Sequence, residues 1–338
     1  MSHDSKPVLA ITMGDPAGTG PEIIAKAVSS NAFEDIANII CVGHAKLMEN
    51  AFAVVQQPYI VRPIDQVEQA EFEPGILNVL HLENIDLDKL QPGKVQASAG
   101  HAAYEYITRA IELALDDNVA GVVTSAINKE ALQLAGHKYD GHTEIFATQT
   151  RSKVVAMMLA SKDFRVVHVS THCSLRQAIE RVKPERILNV IRLTNDSLKQ
   201  MGIAAPKLAV AGLNPHSGEG GLFGREEIEQ IQPAIDMARA EGMNVSSRPE
   251  PPDTVFVRML HFKEFDAVIA QYHDQGHIAA KIVDFWGGVN ITLGLPIIRT
   301  SVDHGTAFDI VGTGKAKIDS LVNAVKYAQV LAQNRPSM

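Results

Sequence analysis

QYHDQGHIAAKIVDFWGGVNITLGLPIIRTSVDHGTAFD, residues 271–309, decides how this chain reads. Within it stand His273, Asp274, Gln275, His277, Lys281, Asn290, Arg299, Asp303, His304 and Asp309. One apolar run, residues 267–270, leads into the segment, and a second, 289–295, lies inside it. Runs of this kind read as buried strands, which can hold so many polar groups only at their ends. Ionisable side chains crowded at the ends of apolar strands are how an α/β protein builds a site. The segment therefore predicts the floor of an active site in an α/β fold.

The rest of the chain fits that fold. Residues 8–13 (VLAITM) read as a buried strand, 14–20 (GDPAGTG) as a turn, and 21–29 (PEIIAKAVS) as a helix with Pro in its first turn. A helix start of this kind offers free N–H groups to an anion or polar group. The spacing of Gly14, Gly18 and Gly20 is not GxGxxG, so a tight turn suffices to explain it. Strands over 39–43 and 121–127 alternate with helices over 45–55 and 101–115. In the second helix Ala103, Tyr106, Ile107, Ala110, Ile111 and Ala114 share one face. After the loop holding His142, Thr143 is placed to cap the next helix. Strands over 153–160, 164–171 and 208–213 follow, then a glycine-rich loop at 214–224 and a helix over 225–241. Strand and helix alternating at this spacing predict α/β with a largely parallel sheet.

At 338 residues the chain is long for one core and predicts two lobes. No linker, repeat or low-complexity tract separates them, so the lobes are expected to share strands, with the chain crossing more than once. The net charge of −8 favours neither nucleic acid nor an anionic membrane surface. Of the two cysteines, Cys41 sits in an apolar run and Cys173 adjoins His172 on the opposite side of the chain, so both read as structural. With no disulfide framework, no basic head and apolar core at the start, and no run of membrane length, a cytoplasmic protein is expected.

Three histidines each follow an apolar strand: His172 after VVHVST, His216 after LAVAGLNP, and His273 after AVIAQY. Any one alone is adequately explained as a loop histidine. Three at matching strand ends favour a shared divalent ion with positions open for substrate, the catalytic type of metal site. Imidazole favours Zn, Co or Ni over Mg or Ca. His277, one helical turn past His273, and His304 are poorer ligand candidates. The loop at 214–224 lacks the lysine of a P-loop. Lys281 and Arg299 lie near the same strand ends with Asn290 between them. Arg299, flanked by Leu295, Pro296, Ile297 and Ile298, is the cation least readily explained as a solvated surface charge. Asp253 and Lys281 are proton-transfer candidates by residue type.

The motifs GDPAGTGPE (14–22), GHTE (141–144), STH (170–172), LNPHSGEGG (213–221), PPDT (251–254), YHDQG (272–276) and GVNITLGLPIIRTSVDHGTAFDI (288–310) resemble the 4-hydroxythreonine-4-phosphate dehydrogenase family, PdxA, over essentially the whole chain. The stretch DHGTAFDIVGTGKA is also similar to a loop of isocitrate and isopropylmalate dehydrogenases. The resemblance implies their fold, two lobes sharing a mostly parallel sheet system with a cleft between them. One lobe, about 1–130 plus 290–338, would carry the N-terminal turn and NAD loop. The other, about 131–289, would carry metal, substrate and dimer contacts. It implies a homodimer with the active site at the subunit boundary and one divalent metal per site (Zn, Co or Mg) on His172, His216 and His273, one of them from the partner. Substrate contacts carry over to His142, Thr143, Lys281, Asn290 and Arg299. NAD would lie against the loop at 303–312, through Asp303, His304, Gly305 and Asp309.

The implied reaction is oxidation at C3 of a 4-phosphorylated four-carbon hydroxy acid, followed by loss of CO2. Cys-Ser-Leu-Arg after His172, with GHI (276–278) and AFD (307–309), resembles a branch acting on D-threonate or D-erythronate 4-phosphate to give dihydroxyacetone phosphate. The other branch acts on 4-phosphooxy-L-threonine, giving 3-amino-2-oxopropyl phosphate for pyridoxal phosphate biosynthesis. The competing classes are a metal-dependent hydrolase on the same histidines and an acyl or phosphoryl transferase on a related fold.

Overall fold

The structure is a computed structural model describing residues 6–335, so the first five residues of the amino-terminal stretch read above lie outside it. The chain forms two compact units, Met1–Ser152 with Leu295–Met338, and Lys153–Gly294.

The first unit opens with β1 (Val8–Thr12), buried from its second residue on, and α1 (Gly20–Ser29), which carries Pro21 in its first turn. The turn between them needs its glycines. Gly14 has φ +79°, and a Cβ on Gly20 would lie 2.2 Å from the Met13 carbonyl oxygen. There follow β2 (Asn38–Gly43), α2 (Ala45–Val54), β3 (Ile60–Ile64), β4 (Ile76–His81), α3 (Ala97–Leu115), β5 (Gly121–Thr124), α4 (Lys129–Leu134) and α5 (His142–Gln149). The predicted face of α3 is buried. Thr143 does not cap α5. The helix begins one residue earlier, at His142, and its cap is Gly141 at φ 152°, which puts Thr143 inside the first turn.

The second unit contains β6 (Ala156–Ser161), β7 (Phe164–His168), α6 (Leu175–Arg181), α7 (Pro184–Gln200), β8 (Leu208–Val210), α8 (Gln232–Ala240), α9 (Val255–Phe262), β9 (Ala267–Ala270), α10 (His273–Val283) and β10 (Val289–Leu293). The helix predicted over 225–241 is in two parts, a π-helical turn over Glu227–Ile231 running into α8. The chain then returns to the first unit for β11 (Arg299–Val302) and α11 (Asp319–Gln333).

Strands in the first unit run β3-β4-β2-β1-β5-β11, every pair parallel. In the second the order is β10-β6-β7-β9-β8, with β6 antiparallel to both β10 and β7 and the remaining pairs parallel. Only Lys162 and Asp163 separate β6 from β7, and a connection that short can join only antiparallel strands. The core of the second unit includes Leu159, Phe164, Val166, Val268 and Met259. Removing a buried ring such as that of Phe164 would cost about 3–5 kcal/mol. No helix among the described residues is long and apolar enough to cross a membrane.

Candidate active site

In the parallel sheet of the first unit, a buried cationic group reaches the carboxyl end of β5. It is Arg299, the first residue of the neighbouring strand β11, and it is 2 % exposed. Its Nη2 donates to Thr124 Oγ1 at 2.8 Å, and its guanidinium lies 5.6 Å from the centre of the Phe146 ring. Burial pulls its pKa down to about 9, still charged at neutral pH. His142 begins α5. Burial first, then the charges of Arg299 and Lys129, hold its imidazole well below the ordinary range, so it is neutral. Its Nε2 is buried with no protein partner. A neutral ring beside a desolvated guanidinium suits a bound anion: the ring hydrogen-bonds and Arg299 supplies the charge. Thr143 adjoins on the same helical turn, and Lys129 stands at the start of α4.

Nearby, Asp15 is wholly buried in the β1–α1 turn. Its Oδ1 accepts the Ala17 N–H at 2.8 Å. Burial raises its pKa to about 6, against the lowering effect of the Ala17 and Asn128 N–H groups. On α1, Glu22 accepts the N–H of Gly312 at 2.5 Å through Oε1 and that of Gly314 at 3.0 Å through Oε2. Those two bonds tie the loop expected to meet NAD to the helix after the glycine turn. On the same loop, Asp303 N–H donates to Ser320 Oγ, His304 turns back on the Gly305 carbonyl, and Asp309 lies in a short 3-10 turn (Phe308–Ile310).

The second unit carries the three histidines. His172 follows β7, and its ring centre is 5.7 Å from that of His273, the first residue of α10. His273 Nδ1 is 2.7 Å from Asp274 Oδ1. A carboxylate can only accept, so Nδ1 carries the proton and Nε2 is left as the basic nitrogen, the form a metal requires. His216 opens a run of left-handed backbone from His216 to Gly220. Left-handed geometry at His216, Ser217 and Glu219 costs about 1–2 kcal/mol per residue, and such strain gathers at functional sites. Glu227, itself buried, holds this loop: Oε1 accepts the N–H of Leu213 and of Asn214, both at 2.7 Å.

His216 faces an open pocket of about 810 Å³ together with Asp253, Tyr272 and Asp274. Lys281 lies on α10 with its ammonium 5.4 Å from the Phe285 ring centre, and Asn290 is on β10 opposite Leu159. Within one chain the three histidines do not share a ligating point. Among the described residues, the one group of three whose ligand atoms lie within 4.8 Å of one another is His44, His81 and Glu83, in the first unit. There His81 Nδ1 accepts the Ala45 N–H at 3.1 Å, so its Nε2, 2.9 Å from Glu83 Oε2, carries the proton. A protonated nitrogen is not a ligand, and this trio is better matched to hydrogen bonding than to a metal.

The family model described as "Pyridoxal phosphate biosynthetic protein PdxA" matches residues 35–328. The chain belongs to the PdxA family. It is 48 % identical over 325 residues to a D-threonate 4-phosphate dehydrogenase of Salmonella typhimurium, covering 96 % of this chain and 98 % of that one. It is 49 % identical over 328 residues to a 4-hydroxythreonine-4-phosphate dehydrogenase of Beijerinckia indica, covering 97 % and 96 %. Among solved structures, a 4-hydroxythreonine-4-phosphate dehydrogenase from Klebsiella pneumoniae aligns with a TM-score of 0.88 at 46 % identity, covering 96 % of this chain and 99 % of that one. This PdxA-family chain is an oxidoreductase with the α/β fold expected of it.

The site residues that sequence reasoning passed over are Asp15, Glu22, His168 and Glu227. Asp15 and Glu22 stand inside GDPAGTGPE, and Glu227 lies just past the glycine-rich loop, so their positions were visible while their partners were not.

Proposed function

We propose that this chain oxidises the C3 hydroxyl of a 4-phosphorylated four-carbon acid with NAD and a divalent metal, followed by loss of CO2. We favour D-threonate or D-erythronate 4-phosphate over 4-phosphooxy-L-threonine. The observation that carries the proposal is Arg299, a fully buried guanidinium beside a neutral His142 and the carboxyl end of β5. A planar guanidinium shielded from water is suited to bidentate capture of a phosphate or carboxylate.

His172, His216 and His273 would hold the ion. The donor set fits: three imidazoles, one of them fixed by Asp274 with its basic nitrogen outward. They do not meet at one ligating point within one chain, where the ring centres of His172 and His273 are 5.7 Å apart. We infer that a second copy completes each site. Ile278, Ile282, Phe285 and Trp286, on and just after the helix that His273 begins, are 58, 80, 60 and 54 % exposed, an apolar surface suited to a partner. When bound, the ion supplies Lewis acidity toward the substrate hydroxyl, and NAD accepts the hydride. The chain's own part is to orient. Arg299, His142 and Thr143 fix the anionic end of the substrate, Lys281 and Asn290 contact its polar groups, and Asp253 or Lys281 moves the proton. Glu22 holds the 312–314 loop, with Asp303, His304, Gly305 and Asp309 beside it, for the dinucleotide.

The test is absorbance at the NADH band with NAD, Zn2+, Co2+ or Mg2+, and the two substrates in parallel. NADH formation that chelator abolishes, faster on D-threonate 4-phosphate, supports the proposal. No NADH with any phosphorylated C4 acid overturns it.

A further inference from the structure

Strands seldom bury an imidazole, yet His168 ends β7 with no exposed surface. Its Nδ1 is 3.4 Å from the Met157 carbonyl oxygen, which can only accept, so Nδ1 carries the proton and Nε2 is an acceptor. Facing that Nε2 at 3.2 Å is Nδ1 of His277, which also lies 3.1 Å from the His273 carbonyl oxygen. Both neighbours accept, so His277 Nδ1 carries the proton and donates to them. The direction of every bond from Met157 to His277 is therefore fixed.

His277 in turn lies flat on His273, ring centres 3.6 Å apart and planes 10° from parallel. Gly276 makes the arrangement possible: a Cβ there would lie 2.3 Å from His168 Nε2 and 2.7 Å from Val166 Cγ2. His277 is not a co-ligand with His273. A metal bonds in the plane of an imidazole, and two nearly parallel planes at this separation cannot both contain one ion.

We infer that His168 and His277 are positioning residues, a two-imidazole brace anchored in the sheet that sets the ring plane of His273 for coordination. Asp274 fixes the edge of that ring, and His277 fixes its face. The inference rests on reading His273 as a metal ligand.

The test is titration of the full chain with Co(II), by calorimetry and by visible ligand-field absorption, for wild type, His273→Ala, His277→Ala, His168→Leu and the double variant His168→Leu/His277→Ala. We expect His273→Ala to abolish binding. His277→Ala and His168→Leu should each weaken it about 10- to 100-fold and alter the absorption band, as loss of a ligand's support does. The double variant should bind no more weakly than His277→Ala, because both changes break one connection. If His273→Ala binds Co(II) like wild type, the ligand reading falls and the brace with it. If His273→Ala loses binding while His277→Ala keeps wild-type affinity and spectrum, the brace alone is overturned. His277 is only partly buried, so its variant carries the test even if His168→Leu fails to fold.

Discussion

Replacing Asp15 by Asn should stabilise the protein above neutral pH. The carboxyl is wholly buried in the β1–α1 turn, with the Ala17 N–H serving Oδ1. Burial moves its pKa from 3.8 to about 6. The difference, 6 − 3.8, is about 2 pH units, which at 1.36 kcal/mol each is about 3 kcal/mol. The folded-state pKa is the higher one, so the folded chain holds the proton more tightly than the unfolded chain does. Stability from this group is therefore complete below pH 3.8 and is lost as pH rises through about 6. An amide keeps an acceptor for the Ala17 N–H and has no proton to lose. The assay is urea unfolding of wild type and Asp15→Asn from pH 4 to pH 8, taking the difference between the two curves at each pH so that other titrating groups cancel. That difference should grow with pH to about 3 kcal/mol in favour of the variant at pH 8. Parallel curves, or a variant less stable at pH 8, would refute the argument from burial.

Other expectations follow from single contacts. Arg299→Gln should lower kcat/KM for a phosphorylated substrate roughly 100-fold, about 3 kcal/mol, in steady-state kinetics, since it removes the buried charge; a change under threefold would place the anion elsewhere. Glu22→Ala frees the N–H groups of Gly312 and Gly314 and should raise KM for NAD about tenfold while leaving Co(II) affinity unchanged. Gly276→Ala forces a methyl against His168 and should cost about 1–3 kcal/mol in chemical denaturation.

Much of this architecture could be read from the chain. The apolar run of β1, the glycine turn and Pro21 announce a βα opening, because only a buried strand tolerates such a run and only a helix start welcomes Pro. Arg299 stood out because its flanking residues are apolar, and it is indeed buried. Thr143 misled because its residue type suits a cap, whereas Gly141, at φ 152°, is better able to take the backbone turn that starts α5. Pairs made only by folding were out of reach. His168 and His277 are 109 residues apart, and nothing local to either announces the other. His216 was legible as a histidine in a glycine-rich loop, but its left-handed backbone depends on Glu227 gripping Leu213 and Asn214 from the following helical turn.

The central claim is that His172, His216 and His273, drawn from two copies, serve one metal. Subunit complementation measures it directly. His216→Ala and His273→Ala proteins, each inactive alone, are mixed, unfolded and refolded together, and NADH formation is followed. If the two residues reach the ion from different subunits, half the dimers are mixed and each keeps one intact site, so about a quarter of wild-type activity should return. If both belong to the same chain's site, every site lacks one ligand, and a mixture as inactive as its components would contradict the account.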